Sequence, residues 1–524
     1  MSSVTGVAGV TDIADIVVIG GGHNSLIAAA YLAKAGLDVV VLEERDILGG
    51  NTVTEELTLP GYRHDTCSSA HVLIQANPVI RDDELDLRSY GLRYVYTDPA
   101  VVLPFADGSS FVVHRDAERT ATEIAKWSGA DAKAFLDLLA DWADGLSGAH
   151  GRWNSGRLDP AGSAADARYA ELRAVSALDT IRARFAHPRT IDAMAWLSFA
   201  TIQRVDRPGT GVLPFSITSG RIAYGWATPM GGSGELPAAL ARAIEDHGGS
   251  VVLGQPVERI VVQDGRASGV RTADGRLWSA RRAVLSSAHL TQLPAMLDDT
   301  PWAVDALAAA SAAWRPGLSL FAVHLALEGD LHYPTDDGLL PSVAGGLGSV
   351  DGALAQYAAF DRGETDSSDP WVLMVCSTLV DPARAPGGHG TGKFLTIAPH
   401  ALSAGRDWDV EKHRYARALL DHAAKRVDGL SDAQVLAIVA ESPRDLEQLN
   451  RHNVGGSCHG GEVVGSDGEL LVGWPSHRLP VPGLYQTGST SHPGGSVAGR
   501  AGRQAARVLL TDLAIDPATV MGAA

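Results

Sequence analysis

The sequence predicts an α/β fold with an α+β lobe threaded through it, on three observations. An apolar, β-branched run at residues 15–19 (DIVVI) ends in Gly20-Gly21-Gly22. A helix of small and apolar residues and a second apolar run follow within about 30 residues, the length of a βαβ unit. A strand leading into a glycine turn and a closing helix then returns near the C terminus.

Taken in order, residues 15–19 read as a buried parallel strand, because a continuous apolar run bounded by glycines leaves no face for water. Residues 24–35 carry Leu26, Ile27, Ala30, Leu32 and Ala33 with helical character, and Gly36 supplies the stop. Residues 38–42 (DVVVL) form the second strand, reached by a right-handed crossover. The stretch from about 85 to 225 mixes helices, at 117–146 and 164–185, with loops, and reads as an inserted lobe. Residues 231–249 give a glycine turn and an amphipathic helix. Strands follow at 250–253, 259–263, 267–272 and 283–286, with Asp264-Gly265 and Asp274-Gly275 as hairpin turns. A second lobe segment, 303–449, has strands near 318–327, 371–379 and 393–399. A strand into Gly488 and a helix over 497–513 close the chain.

Charge and cysteine content exclude several functions. Over 524 residues, 61 acidic side chains against 43 basic ones give a formal charge of −18. That excess repels a phosphate backbone and no basic stripe offsets it, so no nucleic-acid partner is expected. Cys67, Cys376 and Cys458 are too scattered for a disulfide framework or a CxxC metal site, so no metal is expected and a reducing, cytoplasmic setting is. No run approaches ~18 apolar residues, and residues 1–14 lack the basic and apolar regions of a secretory leader. A soluble protein follows, with peripheral membrane contact and oligomeric state left open.

The first βα turn reads Gly20-Gly21-Gly22-His23-Asn24-Ser25. In a GxGxxG turn the first glycine allows the bend, the second admits a pyrophosphate to the backbone, and the third lets helix and strand pack closely. Ser25 stands at the third position. Glu43 ends the second strand, where an acid accepts hydrogen bonds from ribose hydroxyls and repels a 2′-phosphate. Together they predict dinucleotide binding. The following string, Glu44-Arg45-Asp46-Ile47-Leu48-Gly49-Gly50-Asn51-Thr52, brings a second glycine pair toward the same extended ligand, which a nicotinamide dehydrogenase does not need.

The string VVIGGGHNSLIAAAYLAKAGLDVVVLEERDILGG resembles the N-terminus of the glutathione-reductase-type FAD proteins of the amine oxidase superfamily. It is most similar to the branch holding phytoene desaturases, desaturase-type carotenoid ketolases, retinol saturase and the pyridine nucleotide-disulfide oxidoreductase domain-containing proteins. The resemblance continues through residues 229–249, 254–270, DPARAPGGHG (381–390), SPRDLE (442–447) and LYQTGSTSHPGGSVAGRAGRQAAR (484–507), and is thinnest in the two inserted segments. It implies a glutathione-reductase-type FAD-binding Rossmann domain built from residues 12–84, 225–300 and 465–515. An interleaved substrate lobe would take 85–224 and 301–464, and 1–11 and 516–524 would be flexible termini.

Carried onto this sequence, the resemblance implies that Gly20, Gly22 and Ser25, with His23 and Asn24 in the same turn, cradle the pyrophosphate. Glu43 would bind the ribose, with Glu44 and Arg45 beside it, and Gly49, Gly50, Asn51 and Thr52 would pass near the phosphate and ribityl chain. Val257 would set its backbone against the adenine. Gly488 would meet the ribityl chain and the flavin with Gly494, Gly495, Ser496 and Val497 at a helix start. Many relatives carry an acid where this chain has Ser489, whose hydroxyl offers a similar hydrogen bond. His64, His459 and His492 follow the motifs that run close to the flavin and are the candidates for substrate chemistry.

Two other constellations fail on their residues. Gly387 to Phe394 fits a P-loop except at its eighth position, where Phe394 replaces the Ser or Thr that must reach Mg²⁺. The Gly455-Gly456-Ser457-Cys458-His459-Gly460 string lacks the spacing of a nucleophile elbow or a zinc site. The expected function is therefore an FAD-dependent dehydrogenase, desaturase or oxidase. It would take a hydride from a mainly apolar small molecule such as a polyene, terpenoid or related alcohol onto flavin N5 and pass electrons to O₂, a quinone or another acceptor. The alternatives on the same scaffold are a flavin-dependent isomerase or saturase, an amine oxidase, and a non-catalytic escort of the dissociation-inhibitor type.

Overall fold

The computed structural model describes residues 11–199, 202–462, 474 and 476–522. Its first sheet is built on Thr11–Ile19, whose last four residues are all buried. On one side it pairs in parallel with Val39–Leu42, Ile16 opposite Val39 and Ile19 opposite Leu42, and that strand in turn pairs with Ser250–Val252. On the other side it pairs in parallel with Leu277–Ser286, which also receives Leu484–Gln486. The strands Val257–Gln263 and Arg266–Thr272 complete an antiparallel meander, turned at Asp264 and Gly265 with both φ values positive, as a two-residue hairpin requires. Three distant chain segments thus share one sheet.

The helices His23–Lys34, Glu235–Asp246 and Arg500–Asp512 cover one face of this sheet, packing Leu26, Ile27, Leu240, Leu509 and their neighbours against Ile16, Val18 and Val41. A Cβ on Gly502 would lie 2.2 Å from Asn24 O, so glycine sets how closely the first and last helices approach. Val17, Val40 and Val284 point to the opposite face, where Leu293, Ala303 and Leu307 cover them. This alternation is the two-residue period of a strand buried on both sides.

The second sheet runs in the order Val435–Glu441, Leu320–Leu327, Gly390–Ile397, Val372–Val375, Ala344–Leu347, Val101–Pro104 and Ser110–Val113. Phe321, Val323, Met374 and Phe394 face the Trp408–Ala423 helix. The alternate residues Leu320, Leu373, Val375 and Leu395 face a helical layer that includes Pro188–Phe199 and Leu213–Tyr224. That second face is the one turned to the functional site.

Several expected boundaries move. The 117–146 stretch is two α-helices, Ala117–Ala125 and Gly129–Asp141, followed by a π-turn, because Ser128 caps a new helix by accepting from Asp131 N. The 164–185 stretch likewise splits at Ser176, which forms a capping box with Asp179. Leu85, Leu87 and Leu92 pack in the core of the first unit rather than in the lobe, and so does the helix Pro301–Ala313 through Ala303 and Leu307. The tail is not a loose terminus as far as residue 522. Met521 is buried in the first unit's core, and Gly522 N donates to Glu84 Oε1 at 2.8 Å. Residues 1–10, and 465–473 and 475 of the third cofactor segment, lie outside the described residues. The P-loop look-alike ends in the buried strand Gly390–Ile397, with no helix behind it to bind phosphate.

Candidate functional site

Gly20 ends the first strand at φ +88°, and a Cβ there would lie 2.3 Å from Ser287 Oγ, so both backbone and space demand glycine. Two residues on, Gly22 caps the His23–Lys34 helix without a side-chain hydrogen bond, and a Cβ on it would meet nothing within 4 Å. The helix therefore turns unpaired N–H groups and its positive end toward open space, which suits a phosphate. Ser25 Oγ lies beside them, buried and without a partner among the described residues. Glu43 follows the second strand, and its carboxylate accepts from Gly21 N at 2.6 Å and Arg45 N at 3.0 Å. Burial pushes the Glu43 carboxyl up from the usual range, and those two N–H groups pull it back.

Every residue expected at the cofactor except Gly494 lines one cavity of about 700 Å³. Glu43, Val257, Gly49, Gly50, Gly488 and Gly495 all line it, and the apolar face of the second sheet contributes Leu320, Leu373, Val375 and Leu395 to its wall. The orphaned Ser25 hydroxyl, the uncapped helix and the open space over Gly22 fit an extended dinucleotide.

Many side chains in these motifs are committed to the protein, so what they leave for a ligand is backbone. His23 Nδ1 shares a hydrogen bond with Thr52 Oγ1 (3.1 Å), and Asn24 Oδ1 accepts from Gly502 N (3.1 Å). Glu44 pairs with Arg451 at 3.0 Å and Arg45 with Glu55 at 3.6 Å. Asn51 Oδ1 accepts from Asn450 Nδ2 (2.9 Å) and Asn453 Nδ2 (3.1 Å), while its own amide donates to Asn453 Oδ1 (2.7 Å). Three asparagines thereby lash the second glycine pair to the lobe. Ser489 Oγ hydrogen-bonds His452 Nε2 at 2.5 Å, and both residues line the cavity. Gly494 to Val497 are not at a helix start, since the last helix begins only at Arg500.

The three histidines separate. His459 lines the cavity, with Nδ1 unpartnered among the described residues, and burial pushes its imidazole down to about 4. Its loop is pinned to the cofactor motif, for a Cβ on Gly495 would lie 2.3 Å from His459 O. His64 does not reach the cavity. It sits in the strand Arg63–Asp65, hydrogen-bonded to Thr58 Oγ1 at 2.8 Å and edge-on to His324. His492 is also elsewhere, hydrogen-bonded to Trp153 O at 2.7 Å with its ring edge-on to that indole.

Sequence reasoning singled out neither Lys393 nor the Cys67 and Cys458 pair as site groups. Lys393 is 5% exposed, and its ammonium donates to Cys67 O at 2.5 Å and Ser69 Oγ at 3.2 Å. Burial pushes its pKa down. Cys67 and Cys458, 391 positions apart, bring their thiols together in the same wall; the Cys458 contact holds the Cys67 thiol below its ordinary range. Arg221 and Trp226 also line the cavity. The available signal was a lysine within an eight-residue strand that is otherwise uncharged and wholly buried. Among the described residues no cluster of His, Cys, Asp and Glu could hold a metal ion, and no helix is long and apolar enough to cross a membrane.

Residues 18–83 match the NAD(P)-binding Rossmann-like domain. Over 95% of its length the chain is 29% identical to pyridine nucleotide-disulfide oxidoreductase domain-containing protein 2 of Mus musculus, covering 94% of that protein. It is 25% identical to a limonene dehydrogenase polypeptide of Castellaniella defragrans, over 96% of this chain and 95% of the relative. It is also 25% identical to the neurosporene-forming phytoene desaturase of Cereibacter sphaeroides, over 92% and 91%. A solved structure of putrescine oxidase bound to putrescine superposes with a TM-score of 0.58 at 16% identity, covering 96% of this chain and all of the other, a likeness of fold. The desaturases and dehydrogenases among these relatives are oxidoreductases, as the sequence predicts for this chain.

Proposed function

We propose that this chain is an FAD-dependent oxidoreductase that removes a hydride from a mainly apolar small molecule. The observation that carries the reading is the single cavity joining the Gly22 and Glu43 end, shaped for a dinucleotide, to an apolar wall on the second sheet. Gly20, Gly22 and Ser25 would hold the pyrophosphate, Glu43 the ribose and Val257 the adenine. Gly488, Gly495, Ser496 and Val497 would border the flavin. When bound, FAD supplies a hydride acceptor at flavin N5.

The chain's own residues bind, orient and exclude water. Leu320, Leu373, Val375 and Leu395 give an apolar surface on which a hydrocarbon skeleton loses its hydration. His459 is a cavity group able to accept the proton that accompanies hydride removal, since burial holds its imidazole neutral. Two relatives are named for limonene and phytoene, and the wall suits skeletons of that kind. An amine substrate fits less well, because the unpaired cation Arg221 lines the same cavity as the apolar wall. Electrons would leave to O₂, a quinone or a similar acceptor, and we place the protein in the cytoplasm on its free thiols.

The test is direct. Purified protein supplied with FAD should retain a flavin spectrum through gel filtration, and under anaerobic conditions a panel of polyenes, terpenoids, alcohols and amines should bleach it selectively. Protein that retains no flavin ends the reading, and bleaching by amines alone replaces it with an amine oxidase.

A further inference from the structure

Arg221 is a buried cation that the fold leaves unpaired among the described residues. It lies in the last turns of the helix Leu213–Tyr224, is 6% exposed and lines the cavity. Its Nε and Nη1 have no hydrogen-bond partner among the described residues. Its guanidinium sits 4.0 Å from the centroid of the Trp226 ring, and the indole Nε1 of Trp226 is a second buried donor without an acceptor there. Burial alone pushes Arg221 down to about 9, with no carboxylate among the described residues close enough to hold it up.

The surroundings make this arrangement costly. Ile202, Ile217, Leu320, Leu373, Val375 and Leu395 line the same cavity, so the charge shares it with hydrocarbon. A guanidinium does not escape by losing its proton near neutral pH, and an unpaired buried charge is tolerated only when a partner is supplied. The two other arginines with so little exposure have theirs: Arg384 has Asp65 and Asp381, and Arg503 has Glu84. Arg173 stacks on Trp153 at 4.2 Å with Nε and Nη2 also unpartnered among the described residues, but it is more exposed and does not line this cavity. An indole N–H and a guanidinium are both donors only, so the missing partner is an acceptor with negative charge. A planar fork of N–H groups suits a carboxylate.

Resting on the flavin reading above, we propose that the substrate is an apolar carboxylic acid, its hydrocarbon chain against the second sheet and its carboxylate on Arg221. The carboxylate on Arg221 then fixes how the chain lies on that wall and which carbon is presented for hydride removal. The acid group takes no part in the redox step and leaves unchanged.

The test uses full-length FAD-loaded protein with cis-parinaric acid, a fluorescent polyene acid, and its methyl ester, which keeps the skeleton and removes the charge. The acid should bind at least tenfold more tightly than the ester by fluorescence titration. Arg221→Met should bring the two within about twofold while retaining FAD, and Arg221→Lys should recover part of the preference. Since Arg221→Met replaces an unpaired buried charge with a hydrocarbon of similar length, its melting temperature should be unchanged or higher. Equal binding of acid and ester by the wild type, or a preference that survives Arg221→Met, overturns the proposal, and so does a large loss of stability in that variant. Protein that holds no FAD overturns the flavin reading instead, and the acid-to-ester ratio is then read on the apoprotein.

Discussion

Glu43 shows how one side chain can serve both the fold and a ligand. Its carboxylate already holds Gly21 N and Arg45 N, so it stands ready at the cavity wall without searching rotamers. A ribose hydroxyl donating to that carboxylate adds a charge-assisted hydrogen bond, worth about 1.5–3 kcal/mol. Glu43→Gln keeps the shape and removes the charge, and should weaken FAD binding about tenfold to a hundredfold, read as Kd from flavin fluorescence quenching. Unchanged affinity in that variant would move the ribose elsewhere. Arg221 and Lys393 teach the converse at the same scale. Neither belongs to a motif, and each becomes informative only when its neighbours are known. A lone arginine in SITSGRIAY or a lysine in GTGKFLTI carries no sign of what faces it. His64 and His492 mislead for a related reason, since nearness to a motif in sequence does not say which way a side chain points across a strand or turn.

At the scale of elements, the DPARAPGG segment proves to be a staple. Arg384 donates to Asp65 Oδ2 at 2.9 Å and to Asp381 Oδ2 at 3.2 Å, and all three residues are buried. The two carboxylates in turn accept from Ser233 N (2.8 Å) and Gly231 N (2.7 Å), fixing the glycine turn before the Glu235–Asp246 helix. One guanidinium thus ties the Arg63–Asp65 strand, the lobe and the first unit together. Arg384→Met leaves two buried carboxylates uncompensated and should cost about 3–5 kcal/mol in urea unfolding. Adding Asp65→Asn should restore part of that loss, whereas equal instability of single and double variants would show that the network does not act as a unit. The βαβ unit was legible because its periods, glycines and acid agree locally. The lobe's helices were legible only as long runs, since their breaks depend on Ser128 and Ser176 capping new helices within an otherwise helical pattern.

For the whole molecule, the return of distant segments to one nucleotide-binding unit was legible through the family resemblance, which continues at residues 229–249 and 484–507. It could not show that Cys67 meets Cys458 or that Asn51 meets Asn450, contacts made only when the lobe closes over the unit. That closure buries many imidazoles. His23, His452, His459 and His477 are pushed down to about 4, His64 and His71 to about 3, and His289 to about 2, burial being the largest cause in each. In the unfolded chain they titrate near ~6.5. Between these values the unfolded state binds more protons than the native one, so stability is present above about pH 6.5 and is lost as the pH falls toward 4. Each such proton steepens the loss by about 1.4 kcal/mol per pH unit, and three of the seven acting together would remove ~4 kcal/mol per unit from a total of order 5–15 kcal/mol. Asp65, Glu84 and Asp445 are held below their ordinary values, so their protonation begins only at lower pH and does not account for a loss in this window. Thermal unfolding of FAD-loaded protein in buffers from pH 7.5 to 4.5 should show a melting temperature that starts to fall near pH 6.5 and drops steeply before pH 5. A melting temperature level down to pH 4.5 would mean that these histidines are not buried together in the native protein, and with them the closed contact between lobe and nucleotide-binding unit would fail.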